Sequence, residues 1–198
     1  VSGTAEQDSL DALDELLFAR MIVEIKNETR PYTVSHDRIR EVVYAQLSAA
    51  RQQIFHRRAL LALTEQKVLS AELAHHALSA KEWQFAFQHS LNAGDEAMSL
   101  SAAMGAAQHY ETARSLLNEQ KAEMDDAVRQ RLFTSLGKAN ELIGNYAESE
   151  ADYRTALALA ETLQDPIAVA RVQYGLGMLF RLQGQVANAL DLLVKARD

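Results

Sequence analysis

Six histidines, a Gly-Leu-Gly triplet and the acid pair Asp125-Asp126 are the residues whose types and spacing could do chemistry in this chain. His36 is preceded by Ser35 and followed by Asp37. The Ser35 hydroxyl is expected to act as an N-cap, accepting a hydrogen bond from the first free backbone N–H groups of a helix, so that read alone the triplet is a helix start. His56, His75, His76, His89 and His109 form no H-E-x-x-H string, which would put two imidazoles on one helical face, and the chain has no cysteine to help. Adjacent His75 and His76 are expected on different sides of a helix, and no metal site is predicted. Gly175-Leu176-Gly177 sits inside a helical pattern rather than after a strand, which makes it a packing feature and not a dinucleotide fingerprint. No serine or threonine stands in a nucleophile elbow, and Asp125-Asp126 reads as charge at a helix N-terminus. The chain is not expected to be an enzyme.

The elements that must position these residues are mostly helical. Only two prolines and eight glycines interrupt 198 residues rich in Ala, Leu, Glu and Gln, side chains that lose little freedom in a helix. A formal charge of −7 argues against direct nucleic-acid binding, which draws on Lys and Arg displacing counterions. No apolar run reaches membrane-spanning length, no signal segment is visible, and the absence of cysteine fits a reducing compartment, so a cytoplasmic location without a membrane partner is expected. Because the chain opens with Val1, a piece of a longer protein is expected.

In order, Ser2-Gly3-Thr4 reads as a flexible lead-in. Leu10, Leu13, Leu17 and Met21 then mark an amphipathic helix with Asp8, Asp11, Asp14 and Glu15 in its first turns. Residues 21–25 and 31–34 are short β-prone runs around the polar turn 26–30, a hairpin. Ile39, Val42, Val43 and Leu47 recur at helical spacing, and Ser48 offers the N-cap of a further helix bearing Ile54, Leu61 and, opposite, Arg51, Arg57 and Arg58. Helix, hairpin, helix is the closing half of a winged-helix unit. Helices are predicted near 70–79, 82–100, 103–119, 126–143, 146–163, 166–183 and 186–197, with Asp165-Pro166 as cap and first-turn proline. They repeat: Leu136, Gly137, Leu142, Gly144, Ala147 and Ala156 recur 40 positions later as Leu176, Gly177, Leu182, Gly184, Ala187 and Ala196. Such small residues let paired helices approach closely, and stacked pairs bury faces that single pairs cannot.

The repeats resemble tetratricopeptide repeats in their small–x3–aromatic–x2–small signature, carried by Ser149-Tyr153-Ala156, more loosely by Ala189-Leu193-Ala196, and earlier by Ala86-Ser90-Ala93 and Ala106-Tyr110-Ala113. The resemblance implies a mainly α fold, a right-handed superhelix of antiparallel helix pairs, with a small β-hairpin from a partial winged helix near the N-terminus. It divides the chain into a winged-helix end (1–48), a connecting helix (49–69) and repeats (70–198). In that fold the first helix of each pair lines a groove, which here would present Arg131, Thr134, Lys138 and Glu141, then Arg171, Tyr174, Met178 and Arg181. Four of these eight are basic, which suits an acidic peptide or a small anionic effector. Leu190, Leu193 and Val194 on the last helix would be left open, either the scar of a truncation or a surface for self-association.

Tyr32, His36, Asp37, Arg40, Glu41 and Tyr44 match an aromatic–x3–His-Asp–x2–Arg-Glu–x2–Tyr string. With His56-Arg57-Arg58, residues 72–76 and Ala93-Gly94-Asp95, the arrangement resembles the winged-helix-to-repeat junction of bacterial STAND-type regulators, signal-transduction ATPases related to LuxR-like transcription factors. The resemblance implies that His36 senses bound ADP and Asp37 starts its helix, in a full-length protein carrying an upstream ATPase domain with ATP or ADP. Ser35 replaces the methionine of that family's motif, and no G-x-x-x-x-G-K-[ST] loop occurs in this chain, so no cofactor is expected here. The implied function is a non-catalytic sensor or protein-interaction part of a nucleotide-switched transcriptional or signalling regulator. The alternative is a plain protein-interaction scaffold.

Overall fold

The computed structural model describes residues 2–25, 31–66 and 68–197, and the side chains of residues 7 onward within these ranges. The chain forms two compact units, Val1–Gln52 and Gln53–Asp198.

In the first unit, α1 (Ser2–Phe18) leads into β1 (Ile22–Glu24), which pairs antiparallel with β2 (Tyr32–Val34), and α2 (Asp37–Gln46) follows. The register sets Ile22 against Val34 and Glu24 against Tyr32. The predicted hairpin is therefore present, while its turn, 26–30, lies outside the described residues. Helix α1 begins at Ser2 and not near Asp8. Residues 4–7, Thr-Ala-Glu-Gln, hold no breaker, and a helix turn without apolar residues leaves no periodic signal. Asp14 and Glu15 consequently stand near the C-terminal end of α1, where the helix dipole does not favour them. Ser35 does not cap α2: its Oγ donates to the Met21 carbonyl at 3.0 Å, beside the Ser35 N–H at 2.9 Å, and closes the hairpin base. His36 takes the N-cap position instead, in extended backbone and without a side-chain cap bond. No described side chain of this unit through Gln52 is buried. Two helices and a hairpin leave an open apolar cleft of about 330 Å³ lined by Leu16, Ile22, Val34, Ile39, Val43 and Leu47.

The second unit starts within α3 (Ala49–Thr64), whose first turn is capped by Ser48 Oγ, accepting from the Arg51 N–H at 3.4 Å. Then come α4 (Ser70–Ala80), α5 (Trp83–Ser99), α6 (Ala103–Asn118), α7 (Asp126–Ile143), α8 (Tyr146–Thr162), α9 (Pro166–Leu182) and α10 (Val186–Lys195). The seven helices predicted from periodicity agree with α4 to α10 to within about two residues at each end. The fold is mainly α with a small β-hairpin near the N-terminus. From α4 onward each helix packs on the next, and α5 also touches α7 as α7 touches α9, so alternate helices stand in a row. Asp125 and Asp165 cap α7 and α9, accepting from Val128 N–H at 2.8 Å and from Ile167 and Ala168 N–H at 3.0 Å each.

Glycines set how closely these helices meet. A Cβ on Gly137 would lie 2.7 Å from Cδ1 of the Tyr153 ring, one on Gly175 2.8 Å from Cε1 and Cζ of the same ring, and one on Gly177 2.8 Å from Leu193. Gly94 stands in the same relation to Tyr110, adding a Gly-to-aromatic pair sixteen residues apart that the 40-residue period misses. Gly94 and Gly137 are 43 positions apart because the α6–α7 connection, 119–125, is longer than the α8–α9 connection, 163–165. Gly144 and Gly184 recur for a different reason from the close approach expected of them. They end α7 and α9 at φ of 87° and 75°, where a Cβ would be strained although nothing crowds it.

Buried polar groups knit the repeats. Asp152 receives Asn140 Nδ2 at 2.9 Å and Arg114 Nη1 at 3.2 Å, tying α8 to α7 and α6. Burial pushes its carboxyl above the usual carboxylate range, against the opposing pull of Asn140 and Arg114. Ser149 Oγ donates to the Gly137 carbonyl at 2.7 Å, whereas the equally buried Ser90 Oγ has no partner among the described residues. The two serines therefore predict opposite signs in denaturant unfolding. Ser149→Ala loses about 1 kcal/mol by removing a buried hydrogen bond, and Ser90→Ala gains a similar amount by removing an unpaired hydroxyl.

Candidate binding face on α7 and α9

The eight residues predicted to share a face fall on α7 and α9, two neighbouring members of the helix row. Their surroundings differ from one helix to the next. On α7, the Arg131 guanidinium pairs with Asp95 of α5, whose other carboxylate oxygen accepts from the Tyr110 hydroxyl at 2.8 Å. Lys138 Nζ donates to Glu141 Oε1 at 2.8 Å, and the Tyr153 hydroxyl donates to Glu141 Oε2 at 3.2 Å. Each unit is a phenol on the second helix of a pair, a carboxylate on the first, and a cation facing outward. Burial, with the adjoining carboxylate as a lesser cause, raises both phenols, so they remain protonated donors. Glu141 is buried and engaged on both oxygens, which takes it out of any ligand's reach. Thr134 Oγ1 donates to the Gln130 carbonyl at 2.9 Å.

On α9 the pattern changes. Leu193 stands where Tyr110 and Tyr153 stand, and Arg181 occupies the position of Glu141. Arg171 and Arg181 are exposed and have no carboxylate partner among the described residues. By the register that pairs Arg131 with the residue after Gly94, Arg171 answers to the residue after Gly137, which is Lys138 and not an acid. Tyr174 is 56% exposed between the two arginines and Met178 is half-buried. Arg171 and Arg181 are ten residues apart, which sets their Cα atoms about 15 Å apart along the helix axis. The face can thus offer two guanidiniums, with an amphipathic ring between them, to an anion or an extended acidic segment.

Sequence reasoning placed the basic residues but missed Asp95, Tyr110 and Tyr153, which decide which of them are already neutralised. The readable signal was the glycine sixteen residues before each tyrosine.

The remaining candidates lie apart. His36 is exposed at the N-cap of α2, where its carbonyl accepts from the Ile39 N–H at 2.9 Å. Asp37 forms an exposed pair with Arg40 at 2.9 Å, in the first turn where the dipole favours an acid. His75 and His76, expected to diverge, both approach His56 of α3. Ring centroids are 5.4 and 5.0 Å from His56 and 5.3 Å from each other, because α3 lies across the edge that the two rings share. Among the described residues no group of three or more His, Asp or Glu side chains is placed to hold a metal ion, and no helix is long and apolar enough to cross a membrane. A cleft of about 990 Å³ lies between the α8–α9 turn and the end of α10, lined by Glu161, Asp165, Ile167, Ala170 and Arg197. It mixes charges of both signs with apolar residues and lacks a convergent set. Scans against protein-family models and against curated proteins give no match to this chain.

Proposed function

We propose that the α7–α9 face is a tetratricopeptide-like groove that binds an acidic peptide or a small anionic effector, and that the chain is the non-catalytic sensing part of a larger nucleotide-switched regulator of the STAND type. The single observation that carries the binding half of this reading is the unmatched pair Arg171 and Arg181. Where α7 matches its cations with Asp95 and Glu141, α9 leaves two guanidiniums for a ligand's carboxylates. The repeated glycine–tyrosine pairs support the tetratricopeptide likeness. The junction string Tyr32, His36, Asp37, Arg40, Glu41 and Tyr44 supports the regulator half, with ADP sensed by His36 once an upstream ATPase domain supplies the phosphate cradle.

Titration of the chain with glutamate-rich peptides, followed calorimetrically, tests the groove. Arg171→Glu and Arg181→Glu are each expected to weaken binding roughly tenfold or more, and raising the salt should weaken the wild-type interaction because exposed charge pairs are screened. Equal affinity in both variants would remove the face from consideration. The nucleotide half is checked separately: the gene encoding this chain should also encode a G-x-x-x-x-G-K-[ST] loop upstream. A full-length sequence without that loop would leave the second reading, a plain protein-interaction scaffold, which the same repeats support equally.

A further inference from the structure

The three imidazoles at the start of the second unit belong to none of the networks above. His56 is 8% exposed on α3, and its Nδ1 meets the Nδ1 of His76 on α4 at 2.9 Å. Two ring nitrogens can face each other at that distance only if one carries the hydrogen and the other accepts it. In the neutral pair one ring therefore has its proton on Nδ1 and the other on Nε2. A first added proton can enter at the outer Nε2 of the donor ring, and the contact survives. The second has only the inward Nδ1 of the acceptor ring, and taking it replaces a hydrogen bond with two cations whose N–H groups collide. The exposed ring of His75 lies 5.4 Å from His56.

We infer that His56 and His76 form a proton-sensitive latch that fastens the second half of α3 to α4, and that acidification loosens the segment joining the two units. The division between the units falls at Gln52 and Gln53, inside α3, three residues ahead of His56. Among the described residues, this part of α3 is also fastened by Gln53 Nε2 donating to the Ala80 carbonyl at 2.9 Å and by Arg57 pairing with Glu82 at 3.0 Å. Leu60 and Leu63, buried one and two turns further on, anchor the rest of the helix. Protonation thus frees the turn ahead of those leucines and leaves the helix end in place.

Among the described residues, the charged and titratable groups around the pair include Arg57 and Arg58 on α3, and His75 with Glu72, one turn before His76, on α4. At the α5 edge stand Glu82, held by Arg57, and Glu96, which accepts from Ser70 at the start of α4, with His89 further along α5. Burial and, secondly, His75 lower the His56 pKa from its usual value. The folded chain then binds fewer protons than the unfolded one as pH falls through about 6.5, so this contribution to stability is complete above that pH and drains away below it. His89 shifts in the same direction, by burial, so overall melting cannot isolate the latch. A local measurement is required.

Amide hydrogen exchange of the whole chain at about pH 7.5 and about pH 5.5, corrected for intrinsic rates, supplies it. Protection of residues 53–58 should fall roughly tenfold more than that of α5 in the wild type. In His76→Gln, which keeps only one ring at the contact, that extra fall should vanish. His56→Gln should behave alike, and should it fail to fold, the half-exposed His76 position carries the test alone. Protection that is insensitive to pH in the wild type, or an equal fall in His76→Gln, would overturn the latch.

Discussion

Tyr153→Ala is expected to be among the most damaging single substitutions in the repeats, at about 4 kcal/mol of stability lost. The ring is 2% exposed and fills the space between Gly137 on α7 and Gly175 on α9, so its removal opens a void bounded by helix backbone that cannot easily collapse. Its hydroxyl also leaves Glu141 with only Lys138 as partner on a buried carboxylate. Tyr153→Phe separates the two effects. It keeps the ring and loses only the hydrogen bond, for about 1 kcal/mol. Urea unfolding of the two variants side by side checks the ratio. Near-equal losses would mean that the hydroxyl, and not the packing, holds α8 to its neighbours.

Gly94→Ala should cost about 3 kcal/mol, the upper end of what overpacking a core does. An added Cβ would sit 2.7 Å from Cζ of Tyr110 and closer still to Cδ1 and Cε1. Tyr110 has nowhere to retreat: it is 1% exposed and its hydroxyl is fastened to Asp95. Because Asp95 also holds Arg131, a displaced Tyr110 should loosen that cation as well. Gly105→Ala is the control. Nothing lies within 4 Å of a Cβ there, and alanine inside α6 is favoured over glycine by about 0.5–1 kcal/mol. Thermal unfolding should therefore move down for the first variant and up for the second. A harmless Gly94→Ala would contradict the close α5–α6 approach.

Much of the helical framework was legible because its causes are local. Apolar residues three and four apart, Asp125 and Asp165 before their helices, and proline in the first turn of α9 act within a few residues of themselves. The errors have a common source. Ser35 has the chemistry of an N-cap, yet its hydroxyl is drawn to the Met21 carbonyl across the hairpin, a partner fourteen residues away. The early turns of α1 carry no apolar mark, and so left no pattern to read. His75 and His76, set by helix geometry on different sides, instead turn their rings toward one another and toward His56 of α3, which only the fold brings near.

The candidate face was half legible. Its eight positions recur at the repeat period, 131, 134, 138 and 141 answering to 171, 174, 178 and 181, and could be placed on α7 and α9 from spacing alone. Which of them are satisfied could not, since Asp95 lies 36 positions before Arg131, and only the packing of α5 on α7 brings them together. By itself, the amino-acid sequence determined the helices α4 to α10, the caps of α7 and α9 and the close approaches at Gly137 and Gly177, all set by backbone preference and side-chain size. Only the tertiary structure decided that Arg131 and Lys138 are neutralised while Arg171 and Arg181 are not, because a charge is cancelled by whatever lies nearest in space.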